Sequence, residues 1–437
     1  LIETLWQTDE LRRSRPTPQD EARNALYYLR QIFRQTMPEV LDDLREELGP
    51  EYADLELRDL KAVERPAVIR AIAEAAGLRV HAYTSPHLVR FNERIRLAGR
   101  LIDDATLNAV LDRVEAASDE ATVFESTTAA AFVAMAEAPA DLAIIEVGLG
   151  GSLDATNVID RPLLSVITPV HLDHAEFLGT DLAGIAREKA GVLKPGAPAV
   201  IARQSEAAMR AIEDAAAQVH ARLAVMGVDF DAWAERGGVA FQDGERFLDL
   251  PASALAGAHQ IDNAGVAIAS ALELDLPEIA IAQGLKAVRW PARLQRLTAG
   301  PYAEIARAAD AELWLDGGHN PHAARALAAF LAERQARAPR PLALICGMLG
   351  NKDAGGFFDA LKGSGAAVFT VGFDGAAAEP QALAAVARGH GLAATPAGSA
   401  AEALDMALRL GAGRVVICGS LYLAGEVLGA SPETWPI

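Results

Sequence analysis

The stretch Asp141 to Asn157, DLAIIEVGLGGSLDATN, sets the tightest limit on what this chain can fold into. Its apolar run, Leu142 to Ile145, has the length and branching of a buried strand. The run stops at Glu146, and Gly148, Gly150 and Gly151 follow at once. In open α/β sheets, ligands sit outside the carboxyl ends of the strands. A carboxylate there, ahead of backbone that can turn tightly, is either a ligand to a metal ion or substrate, or a solvated strand end. The next apolar run, Leu163 to Val170, ends in His171, Leu172, Asp173 and His174. Two successive strands thereby deliver Glu146 and His174 to one sheet edge. A carboxylate and an imidazole converging there suit a divalent ion that also holds phosphate.

The bulk properties set outer bounds. A length of 437 residues suggests two or three domains, and 51% hydrophobic content can fill their cores. The formal charge of −19 argues against a general binder of nucleic acid or anionic membrane, and leaves room for a local anion site. Cys346 and Cys418 lie in apolar runs, so they read as reduced core thiols of a cytoplasmic protein. No apolar stretch is long enough to span a bilayer, and no signal-peptide pattern opens the sequence.

Three units are expected: 1–60, 61–297 and 298–437. The first is rich in Arg, Glu and Asp and has helical periodicity, with Pro18 and the acids Asp20 and Glu21 as one helix start. From Ala67 the pattern becomes alternating helix and strand. Helices are expected near 68–76, 103–118, 126–136 and 181–193, and Asp231 to Leu250 reads as a hairpin. Beyond Leu297, strands near 311–316, 341–348, 366–371 and 414–418 alternate with alanine-rich helices, a second and smaller Rossmann-like layer. The fold class is α/β with an amino-terminal helical appendage.

Two resemblances follow from particular residues. Leu5-Trp6-Gln7-Thr8-Asp9-Glu10-Leu11-Arg12-Arg13 and Pro16-Thr17-Pro18-Gln19-Asp20-Glu21-Ala22-Arg23 resemble an internal helical segment of bacterial phosphoenolpyruvate carboxylase. That likeness covers about the first 55 residues and brings none of the catalytic elements of that family. Downstream, an ordered set of motifs runs from about 67 to 430. It comprises Thr84-Ser85-Pro86-His87-Leu88, Asn92-Glu93-Arg94-Ile95, Glu146-Val147-Gly148-Leu149-Gly150-Gly151, Leu153-Asp154-Ala155-Thr156-Asn157 and Leu172-Asp173-His174. Glu188-Lys189-Ala190-Gly191, His259-Gln260 with Asn263, Trp290-Pro291-Ala292-Arg293, Asp316-Gly317-Gly318-His319-Asn320-Pro321 and Gly419-Ser420-Leu421 complete it. Together these resemble folylpolyglutamate synthase/dihydrofolate synthase of the Mur-ligase superfamily.

The resemblance implies a central ATPase domain and a carboxy-terminal Rossmann-like domain with ATP between them. It implies ATP-dependent addition of L-glutamate to dihydropteroate or a (tetrahydro)folate through an acyl phosphate. Metal and cations would offset charge on the transferring phosphoryl group. By the same resemblance, Ser85, Glu146 and His174 hold Mg2+, and Lys189 is the position that becomes carbamylated. Arg293 contacts ATP phosphate, Asp316 lies near ribose, and Gln260 and Asn263 face the adenine side. His319 and Asn320 fall where the domain closes on nucleotide and glutamate. Thr84, His87, Phe91 and Asp154 belong to the substrate side. Lys189, His319 and Asp316 are the expected catalytic set, and a monomer acting on small molecules is expected. At each position a local role competes: Ser85 as a turn residue, Lys189 on a helix surface, Asp316 as a strand-end cap.

The chain departs from the family where its first strand and phosphate loop should stand. Lys61-Ala62-Val63-Glu64-Arg65-Pro66 occupies that place, and no G-x-x-x-x-G-K-[ST] occurs in the sequence. Such a loop supplies backbone N–H groups and a lysine to phosphates. A sheet strand and the phosphate cradle are therefore both expected to be missing. Ser152, Gly265 and Asn351 are lesser departures. Two readings follow, a working folate ligase or a non-catalytic remnant of one with impaired ATP binding.

Overall fold

The computed structural model describes residues 59–61, 66–117, 121–171 and 181–437. The helical appendage expected over 1–60 and the phosphate-loop position at 62–65 lie outside the described residues, apart from the strand Asp59–Lys61.

The central sheet has eight strands. They are β1 (Asp59–Lys61), β2 (Val80–Tyr83), β3 (Ile95–Leu97), β4 (Arg100–Leu101), β5 (Leu142–Ile145), β6 (Leu164–Ile167), β7 (Pro198–Ile201) and β8 (Arg222–Val225). Their order is β4-β3-β2-β5-β1-β6-β7-β8, parallel from β2 to β8. The expectation of a missing strand is thus corrected. β1 pairs with β5 on one side, Leu60 opposite Ile144, and with β6 on the other, Leu60 opposite Leu164. The reason is backbone accounting. β5 and β6 would each bury an open edge of N–H and C=O groups without a strand between them. A three-residue segment meets that need without any periodicity a reader of sequence could detect. The expected division at residue 60 cuts this strand.

Because β2 and β5 lie on one side of β1 and β6 to β8 on the other, the chain reverses its winding beside β1. That switch point is where open α/β sheets bind ligands. Helix Pro66–Ala75 packs on one face of the sheet with helices His259–Glu273 and Glu278–Ala287. Helix Val123–Glu137 covers the other face over β2 and β5, and Leu182–Ala190 with Glu206–Val219 covers it over β6 and β7. The expected hairpin is a three-stranded antiparallel sheet, β9 (Phe230–Glu235), β10 (Gly238–Asp243) and β11 (Phe247–Leu250). Gly265 packs helix His259–Glu273 onto this sheet. A Cβ there would lie 2.7 Å from the Ala232 methyl, so close packing accounts for that departure.

The carboxy-terminal sheet contains β12 (Gln295–Arg296), β13 (Glu312–Leu315), β14 (Leu342–Cys346), β15 (Ala367–Thr370), β16 (Ala393–Pro396) and β17 (Arg414–Cys418). Its order is β12-β13-β17-β14-β15-β16, parallel except for β12. β12 pairs Gln295 with Leu315, so this sheet begins three residues ahead of the boundary expected after Leu297. Arg414 is fully buried in it and donates to Glu312 at 2.8 Å, Gln335 at 2.5 Å and the Ala338 carbonyl at 3.1 Å. Cys346 and Cys418 are buried free thiols opposite each other on β14 and β17, as their apolar surroundings suggested. Among the described residues no helix is long and apolar enough to cross a membrane.

Candidate active site

The carboxyl ends of the central strands and of β13 and β17 face one cleft of about 2360 Å³. Among the described residues its walls carry eleven Lys and Arg against seven Asp and Glu, in a chain whose formal charge is −19. Concentrating cations in a concave site focuses positive potential where anionic substrates enter.

On the central side, Tyr83 closes β2 and Thr84 and Ser85 follow directly. The Ser85 N–H donates to Glu146 Oε2 at 2.8 Å, which fastens the end of β2 to the end of β5. Glu146 is 5% exposed, so the carboxylate is held in a nearly dry position. Glu93 organises the next turn. Its two oxygens accept from the backbone N–H groups of Leu88 (2.8 Å), Val89 (2.8 Å) and Arg90 (2.6 Å). Arg94 Nε donates to His87 Nδ1 at 2.9 Å, so the histidine proton resides on Nε2. Burial, helped by the Arg94 charge, holds the His87 pKa below its ordinary value. Phe91 stands behind His87, their ring centroids 5.5 Å apart, and is not on the wall.

The glycine loop after β5 is braced from within. Asp154 accepts from the Leu149 N–H at 2.8 Å and from the Thr156 N–H and hydroxyl at 3.0 and 2.5 Å. Asn157 donates to the carbonyls of Ser152 and Gly191, and Ser152 donates through its N–H and hydroxyl to the Glu188 carbonyl. These bonds seat the loop on the end of helix Leu182–Ala190, which Asp181 caps by accepting from Ala183 and Gly184. Lys189 reaches the wall from that helix end.

The other wall is built on the linker and the carboxy-terminal unit. Arg293 sits between two non-glycine residues in the left-handed region, Ala292 (φ 57°) and Leu294 (φ 45°). Such backbone persists only when its surroundings hold it. Here the Gly317 N–H donates to the Ala292 carbonyl at 2.7 Å, and the Leu294 N–H donates to Asp316 Oδ2 at 3.0 Å. Asp316 Oδ1 accepts from the Gly318 N–H at 2.9 Å. Asp316 therefore braces the linker that aims Arg293. Asn320 lines the wall while its side-chain oxygen caps helix Pro321–Arg337 through the Ala323 N–H. His319 Nδ1 lies 3.3 Å from the Gly317 carbonyl, which can only accept, so Nε2 is its basic nitrogen. Asn263 also lines the wall and donates to Gln260 at 2.9 Å, and Gln260 is buried behind it.

The cleft thus gathers Thr84, Ser85, His87, Glu146, Asp154, Lys189, Asn263, Arg293, Asp316, His319 and Asn320. Phe91 and Gln260 stand behind it, and His174 lies outside the described residues. Among the described residues no group of three His, Cys, Asp or Glu forms a metal cluster. Ser85 and Glu146 still fit two positions of a hard-cation site, since they offer a hydroxyl and a carboxylate at one bonded strand end. Sequence reasoning overlooked Arg70 and Arg96, which line the same wall. Burial and the nearby Arg70 charge pull the Arg96 pKa down to about 10, so it stays cationic at neutral pH. It also assigned no role to Phe124, whose ring lies over Gly148 so closely that a Cβ there would fall 2.2 Å away.

A model of the glutamate ligase domain of Mur ligases matches residues 303–421. Folylpolyglutamate synthase of Lacticaseibacillus casei is 35% identical over 393 residues, covering 82% of this chain and 85% of that protein. The chain belongs to the folylpolyglutamate synthase family. The dihydrofolate synthase/folylpolyglutamate synthase of Escherichia coli is 33% identical over 302 residues, covering 67% of this chain and 66% of its own. The solved synthase of Mycobacterium tuberculosis complexed with ADP and AMPPCP superposes with a TM-score of 0.76 at 29% identity, covering 92% of this chain and 97% of that one. A Yersinia pestis synthase with Mn, AMPPNP and L-glutamate bound gives a TM-score of 0.75 at 32% identity, with 93% of each chain covered. A phosphoenolpyruvate carboxylase model matches residues 1–66, a stretch that includes β1 of the synthase sheet.

Proposed function

We propose that this chain joins L-glutamate to dihydropteroate or a (tetrahydro)folate, driven by ATP, in folate metabolism. The observation that carries this is one cleft lined by the ordered motifs that fall within the described residues, in a chain 35% identical to a synthase along most of both lengths. In the first step a carboxylate oxygen of the pterin-linked substrate attacks the γ-phosphorus of ATP and ADP leaves. In the second, the amine of L-glutamate attacks the acyl carbon and phosphate departs, which forms the amide. Both steps bring anions together, and the cationic wall with Arg293 offsets their repulsion.

Ser85, Glu146 and His174 are the residues that would hold Mg2+, and that ion would neutralise charge on the phosphates. His319 Nε2 is suited to take the proton that the glutamate amine loses. Asp316 supports the reaction through the linker, by keeping Arg293 on the wall. Lys189 is the position for the carbamate anion, which a lysine forms from CO2 only as the neutral amine. Asn263 and Gln260 serve the adenine side, and Thr84, His87, Phe91, Asp154 and Asn320 the substrate side. The central ATPase domain runs from β1 to the linker ahead of β12, and the carboxy-terminal ligase domain from β12 onward, in place of the expected divisions at 60 and 297. The chain acts in the cytoplasm as a monomer on small molecules, its charge of −19 opposing nucleic acid and anionic membranes.

The relatives reported above are synthases, and none favours a non-catalytic remnant. Incorporation of labelled L-glutamate into dihydropteroate and tetrahydrofolate, with and without Mg2+ and ATP, is the test. Nucleotide- and metal-dependent label in either product is expected, and none in both would refute the proposal.

A further inference from the structure

The turn that carries Ser85 and His87 belongs to the central unit by sequence, yet it is seated on the carboxy-terminal one. Leu88 and Val89 pack against the apolar cluster that includes Leu423, Ala424, Val427 and Leu428. The Leu88 carbonyl approaches helix Leu421–Gly429 at Gly425. A Cβ at Gly425 would lie 2.1 Å from the Leu88 oxygen and 3.0 Å from its carbonyl carbon, both backbone atoms. Real Cβ atoms do not come that close to backbone, so no other residue fits without moving the turn or the helix. Arg90 adds a second tie, its guanidinium 4.7 Å from the ring centre of Trp435, and the Trp435 indole N–H points to the Gly429 carbonyl.

Glu93 makes this seat stiff. With three consecutive N–H groups held by one carboxylate, residues 88–90 cannot shift singly, and any displacement is transmitted to Ser85 and His87. Ser85 is in turn bonded to Glu146. The turn therefore links the sheet edge of one unit to a helix of the other across the cleft.

We propose that Gly425 is a positioning residue for the pterin-linked substrate. By admitting the Leu88 backbone, it fixes the Ser85–Arg90 turn in the place where His87 forms part of the wall. Glu93 acts through the same turn. The assignment rests on reading this wall as the substrate side of a folate ligase. It predicts that affinity for that substrate and seating of the carboxy-terminal unit are one property, while ATP contacts that do not run through Ser85 and its metal are spared, so ATP is titrated without Mg2+.

The test uses the full chain as wild type, G425A, E93Q and G389A. Gly389 is also a helical glycine, at the last position of Pro380–Gly389, but a Cβ there meets nothing within 4 Å, so G389A controls for a glycine-to-alanine change in a helix without the close approach. Calorimetric titration with dihydropteroate and, separately, with ATP reads the two affinities, and urea denaturation reads stability. Replacing Gly425 favours its own helix, so the variant is expected to fold. Dihydropteroate binding is expected to weaken by about tenfold or more in G425A and E93Q, with ATP binding within about twofold and G389A like wild type. Unchanged dihydropteroate affinity in G425A would overturn the proposal. So would equal weakening of both ligands with a lowered unfolding midpoint, which would mark the seat as structural only. A wild-type chain that takes ATP but neither dihydropteroate nor tetrahydrofolate would overturn the substrate reading itself, and the assignment with it.

Discussion

Replacing Asp316 separates a catalytic carboxylate from a structural brace. The structure commits Oδ2 to the Leu294 N–H at 3.0 Å and Oδ1 to the Gly318 N–H at 2.9 Å, with the residue 8% exposed. A hydrogen bond to a charged group is worth about 1.5–3 kcal/mol net, so two of them total about 3–6 kcal/mol. Asp316→Ala leaves both N–H groups buried without this acceptor and is expected to lose that amount. Asp316→Asn retains one carbonyl oxygen and turns an amide N–H toward the other donor, so about half the loss is expected. Urea denaturation followed by tryptophan fluorescence suits the measurement, since Trp290 and Trp314 flank the braced linker. Glutamate incorporation should fall in parallel, because Ala292 and Leu294 leave their left-handed backbone and Arg293 leaves the wall. A stability change below about 0.5 kcal/mol in Asp316→Ala, with activity abolished, would refute the brace and restore direct contact with substrate.

Other outcomes follow from the same structure. Arg414→Met should destabilise the carboxy-terminal unit by about 3 kcal/mol, because Glu312 keeps only its partly exposed partner Arg334 and the Gln335 side chain and Ala338 carbonyl lose their buried donor; urea denaturation checks this. Burial raises the Glu312 pKa, but bonds from Arg414 and Trp314 and the Arg334 charge outweigh it, and the carboxyl sits below its ordinary 4.5. That contribution to stability is present above the ordinary value and lost as pH falls through the lowered one, so Glu312→Gln should remove part of the acid limb of a stability–pH curve. Deleting residues 1–55 should leave melting nearly unchanged, whereas deleting 1–61 removes β1 from between β5 and β6 and should collapse the central sheet, as read by circular dichroism.

The strand-then-glycine pattern at Leu142–Gly151, the apolar run before His171 and the ordered motifs downstream were sufficient to read an α/β ligase from the sequence. Those signals are local: a buried parallel strand needs a continuous apolar run, and a ligand at its end needs polar groups immediately after it. Helices such as His259–Glu273 and strands such as Arg414–Cys418 were legible for the same reason. What the sequence could not show was pairing between distant segments. Asp59–Lys61 has too few residues for a period, and it becomes a central strand only because β5 and β6 leave a gap of backbone bonds to fill. Nothing in the sequence shows that Asp316 also braces the linker, since only the fold brings the Leu294 N–H to it, and Gln260 looks like a wall residue until Asn263 stands in front. Gly425 carries no signal in its own helix, since the Leu88 carbonyl that requires it comes from a turn more than three hundred residues earlier in the chain. Chemistry that depends on neighbours along the chain is written in order, whereas chemistry that depends on neighbours in space is decided when the two units close on one another.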